Sequence, residues 1–229
     1  MKNKRLALTG LTILLASTLV ACSNNKVDNG GKETSTPTAK TSQKSSNKTS
    51  SKEVSNGELL KVNEWENDPV QGKMKLIKIN KINKSYTTGN YAIKLDDFKL
   101  FEVTPKNDTQ KEDASTAFNS SEGVSTPYYE VQIKYTIENN TDTSVQFNGI
   151  KSLVTESGTQ MDLNSGMQDL GVGTEVAANA KKSTAVMGLI NTNEKNKINK
   201  LTINFDSFAN LTDFSEAAPA IQPVTIDIK

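Results

Sequence analysis

The stretch 129–137 constrains the fold more than any other part of the chain. Tyr129, Val131, Ile133, Tyr135 and Ile137 alternate strictly with Glu130, Gln132, Lys134 and Thr136. A period of two over nine residues specifies an extended strand with one buried and one wet face, because successive strand side chains point to opposite sides. Asn139, Asn140, Thr141 and Asp142 follow at once and supply turn chemistry. Similar short runs lie at 74–82, 91–103, 144–154, 159–163, 183–190, 200–205 and 223–228, with a hairpin turn expected over 156–159. Helical periodicity is confined to a short candidate over 208–217. Many short strands punctuated by turns, with no alternating helices, specify an all-β chain built as an antiparallel sandwich or barrel.

The first 57 residues are different material. Lys2, Lys4 and Arg5 precede an apolar run over 6–20, which as a helix spans roughly 22 Å against the roughly 30 Å of a hydrocarbon core. That is a signal peptide rather than a membrane span. It ends in Leu19, Val20, Ala21 and Cys22, an order that resembles the bacterial lipobox. The resemblance implies cleavage after residue 21 and a diacylglyceryl thioether on Cys22. It also implies attachment to the outer face of the cell membrane, where two or more acyl chains hold stably. Cys22 is the single cysteine of the 229 residues, so no disulfide can form. Residues 22–57 are rich in Ser, Thr and Lys and poor in apolar side chains. They are expected to form a disordered tether, with the folded domain occupying 58–229.

Arg5 is the only arginine, and the chain has no histidine. Once the leader is gone, histidine bases and metal ligands, serine and cysteine triads, and arginine clamps on phosphate are all excluded. Losing Lys2, Lys4 and Arg5 also turns the formal charge of +1 slightly acidic, which argues against nucleic acid as a partner. Ser45 and Lys48 match S-x-x-K, but in the tether nothing would hold the lysine against the serine. Gly171 and Gly173 lack the third glycine of a dinucleotide loop, since position 176 is Val176.

The run 128–141 and the segments around Phe147, 153–158, 185–190 and 201–205 follow one another in an order similar to immunoglobulin-like lipoprotein domains of unknown function in Gram-positive bacteria. Their fold is similar to that of a secreted mycobacterial immunogenic protein. The resemblance implies an immunoglobulin-like β-sandwich and a place in the envelope, and carries no activity.

Within the domain, the long segment 104–126 reads as a solvated loop carrying Asp108, Glu112, Asp113 and Glu122, acids that a weak Ca²⁺ site could use although their spacing is not that of an EF-hand. Trp65, between Glu64 and Glu66, either stacks a sugar or caps the open end of the sandwich. Asp96 and Asp97 read as a strand-edge charge or a bulge rather than a catalytic pair. In the segment 164–181, Met167, Leu170, Val172 and Val176 are expected to cover the core.

The expectation is therefore a membrane-anchored, extracytoplasmic, non-enzymatic binding module, with no cofactor or resident metal. Its partner would be an envelope protein, glycan or lipid, with Asp108, Glu112, Asp113, Glu122 and Trp65 as contact residues. The alternatives are a carrier or sensor of a small apolar envelope molecule held between the sheets, or a hydrolase working through two carboxylates.

Overall fold

A computed structural model describes residues 51–229. Cys22, the lipobox residues Leu19, Val20 and Ala21, and nearly all of the expected tether lie outside the described residues. The elements in chain order are β1 (Lys52–Glu53), β2 (Glu64–Asp68), β3 (Gly72–Thr88), β4 (Tyr91–Thr104), α1 (Asp108–Ala117), β5 (Tyr128–Asn139), β6 (Val145–Phe147), β7 (Ile150–Thr155), β8 (Gln160–Asp162), β9 (Met167–Asp169), β10 (Thr174–Val176), β11 (Lys181–Ile190), β12 (Lys200–Phe205), β13 (Phe208–Asn210), β14 (Glu216–Ala218) and β15 (Val224–Asp227). They form a seven-stranded sheet, β1-β2-β3-β4-β5-β11-β9, here sheet I. Two four-stranded sheets accompany it: β10-β6-β13-β14 (sheet II) and β15-β12-β7-β8 (sheet III). The fold is all-β and sandwich-like, as the alternation requires.

The main core lies between the inner face of sheet I and sheets II and III. Ile93, Leu95, Phe98, Val131, Ile133 and Tyr135 from sheet I pack there against Phe147, Leu153, Leu201, Ile203 and Phe208. Phe208 stacks on Tyr91 with centroids 4.7 Å apart and tilts against Phe147 at 5.0 Å. The opposite, outer face of sheet I is covered as well. Met74, Leu76, Phe101, Val103 and Tyr128 meet Ala114 of α1, Phe118 that caps its C-terminus and Leu59 of the N-terminal arm in a second cluster.

Several expectations are corrected. Segment 104–126 is not a plain loop: Asn107 caps α1 by accepting the Gln110 N–H at 2.9 Å, satisfying one of the donors a helix start leaves free. The helix expected over 208–217 is instead the hairpin β13–β14, because Phe208 is taken into the aromatic core. The single strand expected over 144–154 breaks at Gly149, whose φ of +105° suits glycine, and β6 and β7 enter different sheets. Ordered pairing starts at β1, before residue 58, with β1 parallel to β2. The expected wet face of β5 is covered at Glu130, which is buried. Met167 and Val176 do join the core, but Leu170 and Val172 are exposed.

The hairpin turn over 156–159 joins β7 to β8 as expected. Asp96 is the extra residue of a bulge between β4 and β5, the second of the two readings of that pair. Asn139 ends β5 as a structural residue: its amide reaches the carbonyls of Thr143 and Ala177, and its oxygen accepts the Thr141 N–H.

One buried carboxylate ties three elements together. Asp169 on β9 accepts from Tyr135 Oη at 2.7 Å, from the Ile150 N–H that starts β7 at 2.6 Å and from the Gly171 N–H at 2.8 Å. A side chain at position 171 would place its Cβ 1.8 Å from Tyr135 Oη. Gly171→Ala is therefore expected to lose roughly 3 kcal/mol or more in urea unfolding, since the ring must move and the Asp169 hydrogen bonds break with it. Val172→Thr, at an exposed neighbour, should stay within about 0.5 kcal/mol.

Candidate functional site

Strands facing solvent on one side normally carry their charges into water. Sheet I departs from this where the cover of its outer face changes from apolar to polar. Beyond Leu59 and Phe101, a cleft of about 410 Å³ opens between the N-terminal arm, β2 and the strands β4 and β5. Its polar lining is Glu58, Glu66, Asp68, Gln71, Lys99 and Lys134, over a floor that includes Met74 and Phe101.

Lys99 is the notable member. It lies within the near-continuous apolar run of β4, and its side chain is only 4% exposed. A buried ammonium is tolerated when paired. Glu58 on the arm supplies the pairing, with one carboxylate oxygen 3.2 Å from Lys99 Nζ and the other 2.9 Å from Lys134 Nζ. The Lys134 hydrogen bond, aided by Lys99, holds the Glu58 carboxyl down at about 2, while Glu58 in turn raises Lys134. Glu66 has the opposite surroundings: burial raises its carboxyl, the charge of Asp68 adds to the rise and that of Lys99 offsets part of it, and it has no hydrogen-bond or ion-pair partner among the described residues. Glu130 lies fully buried on β5 beside the cleft, where burial pushes its carboxyl up to about 7 and Gln71 Nε2 donates to it at 3.3 Å. The Tyr128 hydroxyl on the same face is buried without a partner, and burial raises it too. Glu58 and Glu66, which both line the cleft, are thus pushed in opposite directions, which makes it the candidate site.

A larger cleft of about 600 Å³ runs over sheet III, lined by amides and hydroxyls such as Asn148, Ser152, Gln160 and Asn204. Its central pair is internally satisfied, Asn204 Nδ2 donating to Ser152 Oγ at 2.8 Å, and no comparably buried charge lies in it.

The structure does not gather the residues expected to contact a ligand. Asp108, Glu112 and Asp113 are exposed along α1, and Glu122 stands in the following loop, where it lines a different cleft with Tyr128 and Leu189. No group of three acidic side chains among the described residues is placed to hold a metal ion. Trp65 is half-buried on β2, outside both core clusters, with Lys73 Nζ 4.2 Å from its ring centroid over one face. The sequence reading missed Glu58, Lys99 and Glu130. A lysine inside an apolar strand run was the available signal for Lys99.

Burial of Glu130 has a consequence for stability. An unfolded glutamate loses its proton near 4.5 and the folded one near 7, so the folded chain binds more protons between those values. Stability therefore falls as pH rises through that window. Glu58 acts with the opposite sign: its contribution is present above 4.5 and lost as pH falls toward 2, and it is small because the pair is half-exposed. Glu130→Gln is expected to remove the fall between pH 4.5 and 7. It should stabilise the chain at pH 8 by on the order of 3 kcal/mol and leave it nearly unchanged at pH 4, as read by urea unfolding.

No family model matches the chain, and no curated protein matches it. Among solved structures it is similar to a functionally unknown protein from Listeria monocytogenes EGD-e, at 12% identity and a TM-score of 0.45, covering 70% of this chain and 90% of that one. It is also similar to the yjhA protein of Bacillus subtilis, at 12% identity and a TM-score of 0.44, covering 66% and 99%. A conserved hypothetical protein of Bacillus anthracis aligns at 15% identity and a TM-score of 0.36, covering 64% and 99%.

Proposed function

We propose that this chain is a lipid-anchored, extracytoplasmic binding module of the cell envelope without catalysis of its own, and that its ligand engages the charged cleft on the outer face of sheet I. The observation that carries the reading is Lys99, an ammonium held almost out of water at the cleft wall. A core built for stability alone would gain as much from an apolar residue there. The anchor rests on the order Leu19, Val20, Ala21 and Cys22 behind an apolar leader. The lack of histidine anywhere and of arginine beyond Arg5 supports binding over chemistry, and so does the ion pairing of Glu58 with two lysines, which holds its carboxyl too low for a proton-accepting base. An apolar carrier would need room between the sheets, where Phe98, Ile133, Phe147 and Phe208 are completely buried against their neighbours.

Two measurements test the reading. In the native host, the wild-type chain should incorporate labelled fatty acid, while Cys22→Ser should take up no label. A wild-type chain without label, or equal labelling of Cys22→Ser, would refute the anchor. A photo-crosslinking side chain at position 132, which lines the cleft, should capture an envelope component in a Lys99-dependent manner. Crosslinks that persist unchanged in Lys99→Met would refute the cleft as the site.

A further inference from the structure

The cleft is bipolar. Lys99 and Lys134 on β4 and β5 form its cationic end, and the unpaired Glu66, with Asp68 beside it, forms an anionic end on β2. Glu66 pairs in register with Met74, and Lys99 with Ile79, so the two ends are separated both across and along the strands. Two strand spacings put the backbones of the two ends about 10 Å apart, while the charge of Lys99 still reaches Glu66. An extended peptide of three or four residues, at about 3.3 Å per residue, spans that backbone separation. Gln71 and Gln132 line the same cleft and offer amide groups suited to a peptide backbone.

The cationic end is already filled by the chain itself. Glu58 places a carboxylate across both lysines, as the carboxylate of a bound molecule would. The arm that carries it is pinned independently by Leu59, which is buried in the second core cluster, and by the Val54 N–H donating to the Trp65 carbonyl at 2.8 Å. Since the Glu58 side chain is 51% exposed, it can leave the lysines by rotating into solvent without unseating the arm.

We propose that this cleft is a site for a short zwitterionic peptide, with the ligand carboxylate on Lys99 and Lys134, its ammonium on Glu66, and Glu58 as the internal group that occupies the carboxylate position until a ligand displaces it. The proposal rests on the cleft being the binding site and adds the ligand class and the competition. The inward-facing acids disfavour a plain polyanion, while an amine at Glu66 relieves the repulsion between Glu66 and Asp68.

The test is calorimetric titration of the full chain in detergent with tetraalanine, N-acetyl-tetraalanine and tetraalanine amide. Glu58→Gln, which keeps the side chain's shape, should bind tetraalanine at least tenfold more tightly than wild type. Blocking either peptide end should cost at least tenfold, and adding Lys99→Met to Glu58→Gln should abolish binding. Equal affinity in wild type and Glu58→Gln, or equal affinity for blocked and free peptides, would overturn the proposal. Should Glu58→Gln fail to fold, hydrogen exchange on the wild type decides. Saturating tetraalanine should protect the Gln71 side-chain amide while leaving the Val54 amide protected, and no change at Gln71 would count against the site. Loss of peptide binding alongside a surviving Lys99-dependent crosslink at position 132 would leave the binding-module reading standing with a different ligand.

Discussion

The sandwich depends on the buried carboxylate of Asp169. It gathers a tyrosine hydroxyl from the central strand β5, the amide that starts β7 in sheet III, and the amide of the turn that follows its own strand. Those three donors are what allow a charge to stay in the core although burial works against it. They also fix where the chain leaves sheet I and where it enters sheet III. Gly149 and Gly171 sit against this node: a Cβ at 149 would lie 2.7 Å from Val172 Cγ2 and 2.9 Å from Asp169 Oδ2, and one at 171 would strike Tyr135 Oη.

With the inner face committed, the character of the outer face is decided by what covers it. Helix α1 and the arm are short, and their apolar contribution is essentially Ala114, Phe118, Leu59 and Val54. That suffices for Met74, Leu76, Phe101 and Val103, and no more. Strands β4 and β5 continue past this cover, and there the side chains turn from apolar to charged while still partly shielded. Lys99, Glu130 and Asp97 are the result: three ionisable groups on a sheet face with almost no exposure. Asp97 has one oxygen on Lys81 at 2.9 Å and the other buried without a partner. The binding cleft is therefore the seam between two kinds of cover.

The inner architecture was legible in the sequence because it follows period-two alternation, which the buried residues of β5 obey from Tyr129 to Ile137. The outer face was not, because its pattern is broken by shielding that comes from distant segments. Glu130 reads as a wet-face residue, and only Gln71 and the neighbouring cover make it a buried one. Helix α1 has just Gln110 and Ala114 buried, too sparse an apolar stripe to register, although Asn107 followed by Gln110 was a readable start signal. The segment 208–217 could be helical in isolation, and tertiary packing of Phe208 overrides that preference. Glu58 belongs to the site only because the arm folds back across forty residues of chain to reach Lys99, and no local pattern encodes that meeting.

Glu58 and Glu130 are held in built surroundings rather than on a solvated sheet face. Carbon-13 NMR titration of the glutamate side-chain carboxyls in the intact chain tests this most directly, with Glu58→Gln and Glu130→Gln assigning the signals. One carboxyl should titrate at about 2 and another at about 7, belonging to Glu58 and Glu130. A titration in which both sit at the ordinary glutamate value of 4.5 would contradict it.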